Sequence, residues 1–424
     1  MAVADSRRRS TAHAAELACV STTLASPPIA STDRSPLLCW SGVAAVMLGI
    51  FAIVTTEMLP VGLLTSIAGD FTISDGMAGL MMTVPGLVAA AAAPVVTVAT
   101  ARVDRRIMLC LFIFLLIVAD LLMAVTPVYW PVLAARVLVG VTVGGFWSIA
   151  AGLADRLVPA KSVPRANAII FAAVPLGSVL GVPAGTYLGD LTGWRVAFAV
   201  VAGFTVAVLG LLLAVLPPLP GGPGTRVSLL RSLVRGTNMR YALLLTFLIV
   251  LAHFGAYTYI TPFLEQVTKA GSATVTLMLL AYGVAGIVGN FLGGAAVARH
   301  PRGAFAGFVT MIIAALLLLP VLGRWEFGAL ALLLVWGVGY GAVPVATQTW
   351  FIKAAPNTPE AASVLFTASF QLTLSLGALT GGVIVDHTSP TTVLLLAAAP
   401  VALAILTLTT HLATGRVWPD LPRT

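Results

Sequence analysis

The chain has 424 residues and a net charge of +8, with 59% hydrophobic and only 9% charged residues, where a soluble domain carries roughly 25% charged residues. Together with a mean hydropathy of +1.03, this composition excludes a soluble globular domain and describes an all-α integral membrane protein that crosses the bilayer many times. The three cysteines, Cys19, Cys39 and Cys110, lack the spacing of a metal site or redox pair.

The first 36 residues are polar and Pro/Ser-rich, which predicts a disordered cytoplasmic tail and no signal peptide. Twelve apolar runs of about 20 residues then follow. They lie near 37–62, 76–99, 107–126, 131–154, 166–188, 196–216, 241–264, 273–297, 304–322, 328–352, 362–384 and 391–413. The break at 217–240, Pro/Gly-rich and then basic, is read as a cytoplasmic linker. It divides a six-helix bundle at 37–216 from a second at 241–413, and 414–424 forms a short cytoplasmic tail.

Orientation follows from the distribution of Lys and Arg. Nineteen of the 23 basic residues fall on the side of the two termini and the linker, three (Arg195, Lys269, Arg324) on the other, and Arg136 lies within a span. Both termini are therefore expected in the cytoplasm, with the chain in the cell (cytoplasmic) membrane. The loop bias accounts for the net charge without a nucleic-acid partner.

Ionisable groups inside spans are functional by default. Glu57 in span one, Asp120 in span three and Arg136 in span four lie at similar predicted depths, each about five or six residues from the outer boundary. Burial favours a neutral carboxyl and a nearby guanidinium favours the carboxylate. A carboxyl balanced between these influences can couple to a proton gradient. Asp120 reads equally as a structural partner of Arg136.

Span five carries Gly177, Gly181, Pro183, Gly185 and Gly189. Glycines every four residues expose bare backbone along one helix face, and the proline removes a donor in mid-membrane. The pattern fits a tight helix contact or a hinge that lets the halves slide.

Polar side chains elsewhere suit a planar, polar solute. Trp147 lies three helical turns from Arg136 on nearly the same face and can stack on an aromatic ring. His253 and Tyr257 share a face of span seven, with Tyr259 nearby, and Asn290, Gln348 and Gln371 add amides in spans eight, ten and eleven. Such residues also pack or bridge helices without touching substrate.

The halves repeat. An offset of 195–197 residues aligns Gly140 and Gly144 with Gly337 and Gly341, Pro164 with Pro359, Phe171 with Phe366, Gly185 with Gly381 and Asp190 with Asp386. Two parallel six-helix repeats around a midplane site are an architecture of rocking transporters.

From about residue 37 to 413 the chain resembles the major facilitator superfamily, specifically its twelve-span drug:proton antiporter branch. The Gly177–Gly189 stretch resembles the branch's fifth-span antiporter motif, TTEMLPVGLLTSIAGDF its first-span motif, RVLVGVTVGGFW its fourth-span arginine motif and ARVDRRIML its loop motif. GTYLGDLTGWR, AYTYITPFLEQV and PVATQTWFIKAAP look closest to purine-ribonucleoside and sugar efflux permeases. The resemblance implies coupling roles for Glu57 and Arg136. The loop motif keeps Arg102, Arg105 and Arg106 but has Ala101 at the usual aspartate. The family's charge contact between halves is thus expected to be rearranged, with Asp104 an imperfect substitute; a plain positive-inside loop is the alternative.

No P-loop, HExxH, CxxC or G-x-S-x-G pattern occurs, so neither ATP-driven pumping nor an enzyme is expected, and no catalytic or metal site is assigned. The expected protein is a monomeric, proton-coupled exporter of a nucleoside-like, sugar or amphipathic solute. It would work by alternating access in the lipid bilayer, with no cofactor but the proton gradient. An uptake symporter or a non-transporting membrane sensor on the same fold are the alternatives.

Overall fold

Lipid offers backbone groups no hydrogen-bond partner, so each apolar run satisfies itself as a helix. The computed structural model describes residues 35–150, 153–221, 232–299, 301–355 and 358–414. Most of the expected tails at 1–36 and 414–424, and the middle of the linker, lie outside the described residues. Within them are twelve helices long and apolar enough to cross a membrane. Spans one to four are Pro36–Phe71, Asp75–Ala99, Arg105–Val125 and Tyr129–Ala150. Span five is built from Val163–Leu176, a π turn at Gly177–Gly181 and Val182–Thr192, and span six is Trp194–Val215. Spans seven to twelve are Thr237–Tyr257 (extended by Ile260–Gln266), Ser272–Arg299, Pro301–Leu322, Glu326–Ala354, Pro359–His387 and Pro390–Thr414.

Local chemistry sets several ends. Ser74 caps span two by accepting from Met77 N, and Asp104 caps span three by accepting from Arg106 N. Gly193, at φ 94°, makes the tight turn between spans five and six in a conformation that suits glycine. Span one runs to Phe71, nine residues past its expected end at 62, because Pro60 is accommodated inside the helix. The added turns have partners: Phe71 packs on Tyr129 and Trp194, and Asp70 pairs with Arg195.

Beside two small buried apolar clusters around Tyr259 and Phe254, two large ones form most of the interior among the described residues. One runs from Cys39 to Leu219; the other is drawn mainly from Met239 to Leu408, joined by Val61, Met82 and Val182. The repeated glycines serve the same packing in each. A Cβ at Gly140 or Gly144 of span four would strike Pro85 O and Ala89 O of span two. At Gly337 or Gly341 of span ten it would strike Tyr282 O and Gly286 O of span eight. All four contacts keep the offset of 197 residues.

The span-five stripe lies otherwise than a sliding joint between halves requires. Gly177, Gly181, Gly185 and Gly189 face Val54, Thr55, Leu59 and Leu63, all of span one in the same half. The π turn explains what remains. Pro183 has no N–H for the Val179 carbonyl four residues back, and the helix widens just ahead of it. Val179 is then the residue that meets Gly283 of span eight in the other half.

The halves meet chiefly along span two against span eleven and span five against span eight. Their polar links cluster from mid-membrane to the end away from the termini, here called the distal face. There Thr261 Oγ1 donates to Val61 O (2.8 Å) and Thr65 Oγ1 to Glu265 Oε1 (3.2 Å).

Candidate functional site

The first constellation starts at Pro60. A proline cannot donate to the carbonyl four residues earlier, and in span one that carbonyl belongs to Thr56. Arg136 Nη1 of span four donates to it at 2.8 Å. The Thr56 hydroxyl in turn donates to Asp120 Oδ2 of span three at 3.1 Å. Thr56, Asp120 and Arg136 are all fully buried. The three sequence-selected charges are thus gathered, but through a threonine that spacing did not single out. Among the described residues no ion pair within 4.0 Å joins them. Arg136 Nε and Nη2 and Asp120 Oδ1 have no protein hydrogen-bond partner, and the guanidinium lies 5.5 Å from the Phe198 ring centroid.

Glu57 follows Thr56 and lies 14 residues before the end of span one. It is therefore far deeper than the expected five, because the helix continues past 62. Its carboxylate crosses to the other half: Gln371 Nε2 of span eleven donates to Glu57 Oε1 at 2.7 Å. Gln371, expected as a cavity amide, is thus the partner of the buried acid. Both are nearly inaccessible, at 4% and 6% exposure. Met58, half-buried beside Glu57, packs against the cores of both halves.

The second constellation is aromatic and belongs to the second half. His253 stacks on Tyr257 (5.2 Å, 14°) and on Tyr340, and Tyr257 stacks on Tyr282 (4.7 Å, 27°). Trp336 presents its edge to His253, Tyr257 and Tyr282. Of this set, spacing alone selects only His253 and Tyr257. Trp336 and Tyr340, four residues apart on one face of span ten, carried the same signal. His253 Nδ1, Trp336 Nε1 and the Tyr340 hydroxyl are buried without a protein partner.

Other expected cavity residues lie elsewhere. Trp147 stacks on Phe171 of its own half (5.9 Å, 24°), which occupies one face of the indole. Tyr259 sits between the halves: its hydroxyl donates to Ala378 O at 2.8 Å and lies against Gly79 of span two. It is a joint residue, placed there because span seven breaks at Thr258 and Tyr259 before Ile260–Gln266. Asn290 and Gln348 are half-buried on spans eight and ten.

The loop motif also differs from expectation. Asp104 does not reach the opposite half. Its carboxylate accepts from Arg106 N (2.8 Å) and from Leu219 N (3.0 Å), while Arg105 N donates to Leu219 O (2.8 Å). Arg106 donates to Leu213 O, and Arg102 backbone lies against Gly221. The loop therefore clasps the chain leaving span six, because a carboxylate capping a helix start also reaches the segment beside it.

Comparison with known proteins gives a consistent result. The profile described as Major Facilitator Superfamily matches residues 46–368. The purine ribonucleoside efflux pump NepI of Escherichia coli O6:K15:H31 is 32% identical over 370 residues, covering 87% of this chain and 93% of its own. The transcription regulatory protein OpdE of Pseudomonas aeruginosa is 33% identical over 353 residues, covering 82% and 88%. Among solved structures, a bacterial homologue of the human lysosomal transporter Spinster, inward-facing and unoccupied, aligns with a TM-score of 0.72 at 16% identity, covering 92% of this chain and all of that one. The human organic anion transporter MFSD10 aligns with a TM-score of 0.67 at 17% identity, covering 88% of this chain and all of that one.

Proposed function

The chain belongs to the major facilitator superfamily, and from that premise we propose that this multi-pass membrane transporter is a proton-coupled exporter of a nucleoside-like solute. The observation that carries the coupling is the bond from Gln371 to Glu57, which ties a buried acid of one half to the other half. A donor bonds a carboxylate about twice as strongly as a neutral acceptor. Protonation of Glu57 therefore loosens the link between halves, and proton release restores it. Arg136, held by the Thr56 carbonyl one residue away, favours the charged form and Asp120 anchors the same turn.

The solute class is supported by the similarity to a purine ribonucleoside efflux pump and by the aromatic cluster around His253. Flat heteroaromatic rings stack on such side chains, and the free His253, Trp336 and Tyr340 polar atoms suit the edge of a base. Sugars and amphipathic drugs are the competing solutes. The positive-inside bias supports cytoplasmic termini in the inner membrane, with the distal face outward. In that orientation the structure is closed outside, the state that loads solute from the cytoplasm.

Everted vesicles test this reading with labelled adenosine, inosine, sugars and amphipathic dyes under an imposed acid-inside gradient. Accumulation abolished by a protonophore is expected, and no gradient-driven movement of any solute overturns it. A second reading, a membrane sensor, draws on the similarity to OpdE; saturable binding without movement would favour it. Movement with the proton, in the direction of entry, would favour an uptake symporter.

A further inference from the structure

We propose that Asp386 is a latch that carries a carboxylate from the second half to the start of a helix in the first and holds the distal face shut. Asp386, at the end of span eleven, accepts from Ser74 Oγ at 2.6 Å and from Gly76 N at 2.8 Å, both at the start of span two. Asp190 holds the corresponding place at the end of span five, which packs against span eight of the other half. The two aspartates are 196 residues apart, and the first residues of spans two and eight, Asp75 and Ser272, are 197 apart. The repeat thus sets a carboxylate at the same joint of each half, but the donors differ, since the positions equivalent to Ser74 and Gly76 are Gly271 and Ala273. The Asp386 contacts cross between the halves.

The chemistry favours a bond that breaks and reforms. Helix N-termini present unpaired N–H groups and a positive dipole end, which attract a carboxylate. Gly76 leaves room for it, since a Cβ there would strike Asp386 and the Gly382 carbonyl. Asp190 and Asp386 are solvent-exposed, and among the described residues neither has a basic partner within 4.0 Å. Exposed charge contacts are weak and screened, which suits a face that must open in every cycle. Gln266 Nε2 to Asp75 Oδ2 (3.3 Å) and Thr65 to Glu265 add neutral-donor links beside them. Asp386 is thus a positioning residue, setting the balance between closed and open faces. The inference requires only that the halves part here, and depends on neither the proton site nor the solute.

Spin labels at Val128→Cys and Phe327→Cys, both exposed at distal ends of opposite halves, report this opening in nanodiscs. Cys19, Cys39 and Cys110 are first replaced by alanine or serine, and pulsed electron–electron resonance is recorded without substrate or gradient. Asp386→Ala should raise the ratio of long to short distances about threefold. Gly76→Ala, which keeps the carboxylate but pushes a methyl into the latch, should shift the same way, and Asp386→Asn should fall between wild type and Asp386→Ala. An unchanged distribution in Asp386→Ala overturns the proposal. Because no transport is measured, failure here is distinct from failure of the export reading.

Discussion

Pro60 and Arg136 are partners through a carbonyl oxygen: the proline leaves the Thr56 carbonyl without its helical donor, and the arginine occupies it at 2.8 Å. A helix defect is thereby turned into a charge anchor one residue from Glu57. Hydrogen bonds to charged groups contribute about 1.5–3 kcal/mol, enough to hold a buried guanidinium in one place.

Pro60→Ala restores an N–H that competes for Thr56 O. The expected outcome is a protein that folds and inserts but transports about tenfold more slowly or worse, the kinetic equivalent of ~1.4 kcal/mol. Initial rates in vesicles, normalised to protein inserted, check it. A wild-type rate would remove the role assigned to this contact.

Glu57→Gln cannot exchange a proton. We expect substrate exchange down its own gradient to persist while stimulation by an imposed pH gradient disappears. Gln371→Leu leaves the acid but removes its donor across the halves, and should lower gradient-driven transport about tenfold, consistent with one charge-assisted bond. Counterflow and gradient-driven assays run side by side separate the two variants. Full gradient stimulation in Glu57→Gln would place the proton site elsewhere.

Gly341→Ala drives a methyl into the Gly286 backbone, which cannot yield as a side-chain tip can, whereas a Cβ at Gly303 meets nothing within 4 Å. The first change should cost about 1–3 kcal/mol and lower the melting temperature. Gly303→Ala should leave it unchanged or slightly raised. Thermal shift in detergent decides between them; equal melting temperatures would contradict the packing assigned to the repeat.

Glu265, on Ile260–Gln266 beyond the apolar span, should make stability depend on pH. Burial pushes its carboxyl above the ordinary value of 4.5, the Thr65 hydrogen bond opposes this, and Asp75 and Asp190 add to the rise. The folded protein therefore binds this proton more tightly than the unfolded chain. Stability is fully present below 4.5 and is lost as pH rises through the higher folded value. Melting temperatures from pH 4 upward should fall less steeply in Glu265→Gln than in wild type. Parallel slopes would show that Glu265 contributes nothing to the trend.

Composition and hydropathy determined the class, the twelve helices and the loop charge bias, because lipid leaves a backbone no alternative to helices of that length. The repeat offset also pairs positions that pack alike, since Gly140 and Gly337 do the same work in equivalent helices. Rarity of charge in an apolar chain marked Glu57, Asp120 and Arg136 without any structure. What the sequence left open are relations across distance in the chain. Gln371 lies 314 residues from Glu57, and no periodicity assigns a partner at that range. Periodicity showed that the span-five glycines share a face, but not which helix fills it; span one fills it, so that stripe is packing within a half. Asp104 likewise remained at home, holding Leu219. Helix identity was a local property of apolar runs, whereas partner choice was decided by how twelve helices of similar composition close-pack, and only the tertiary structure contains that.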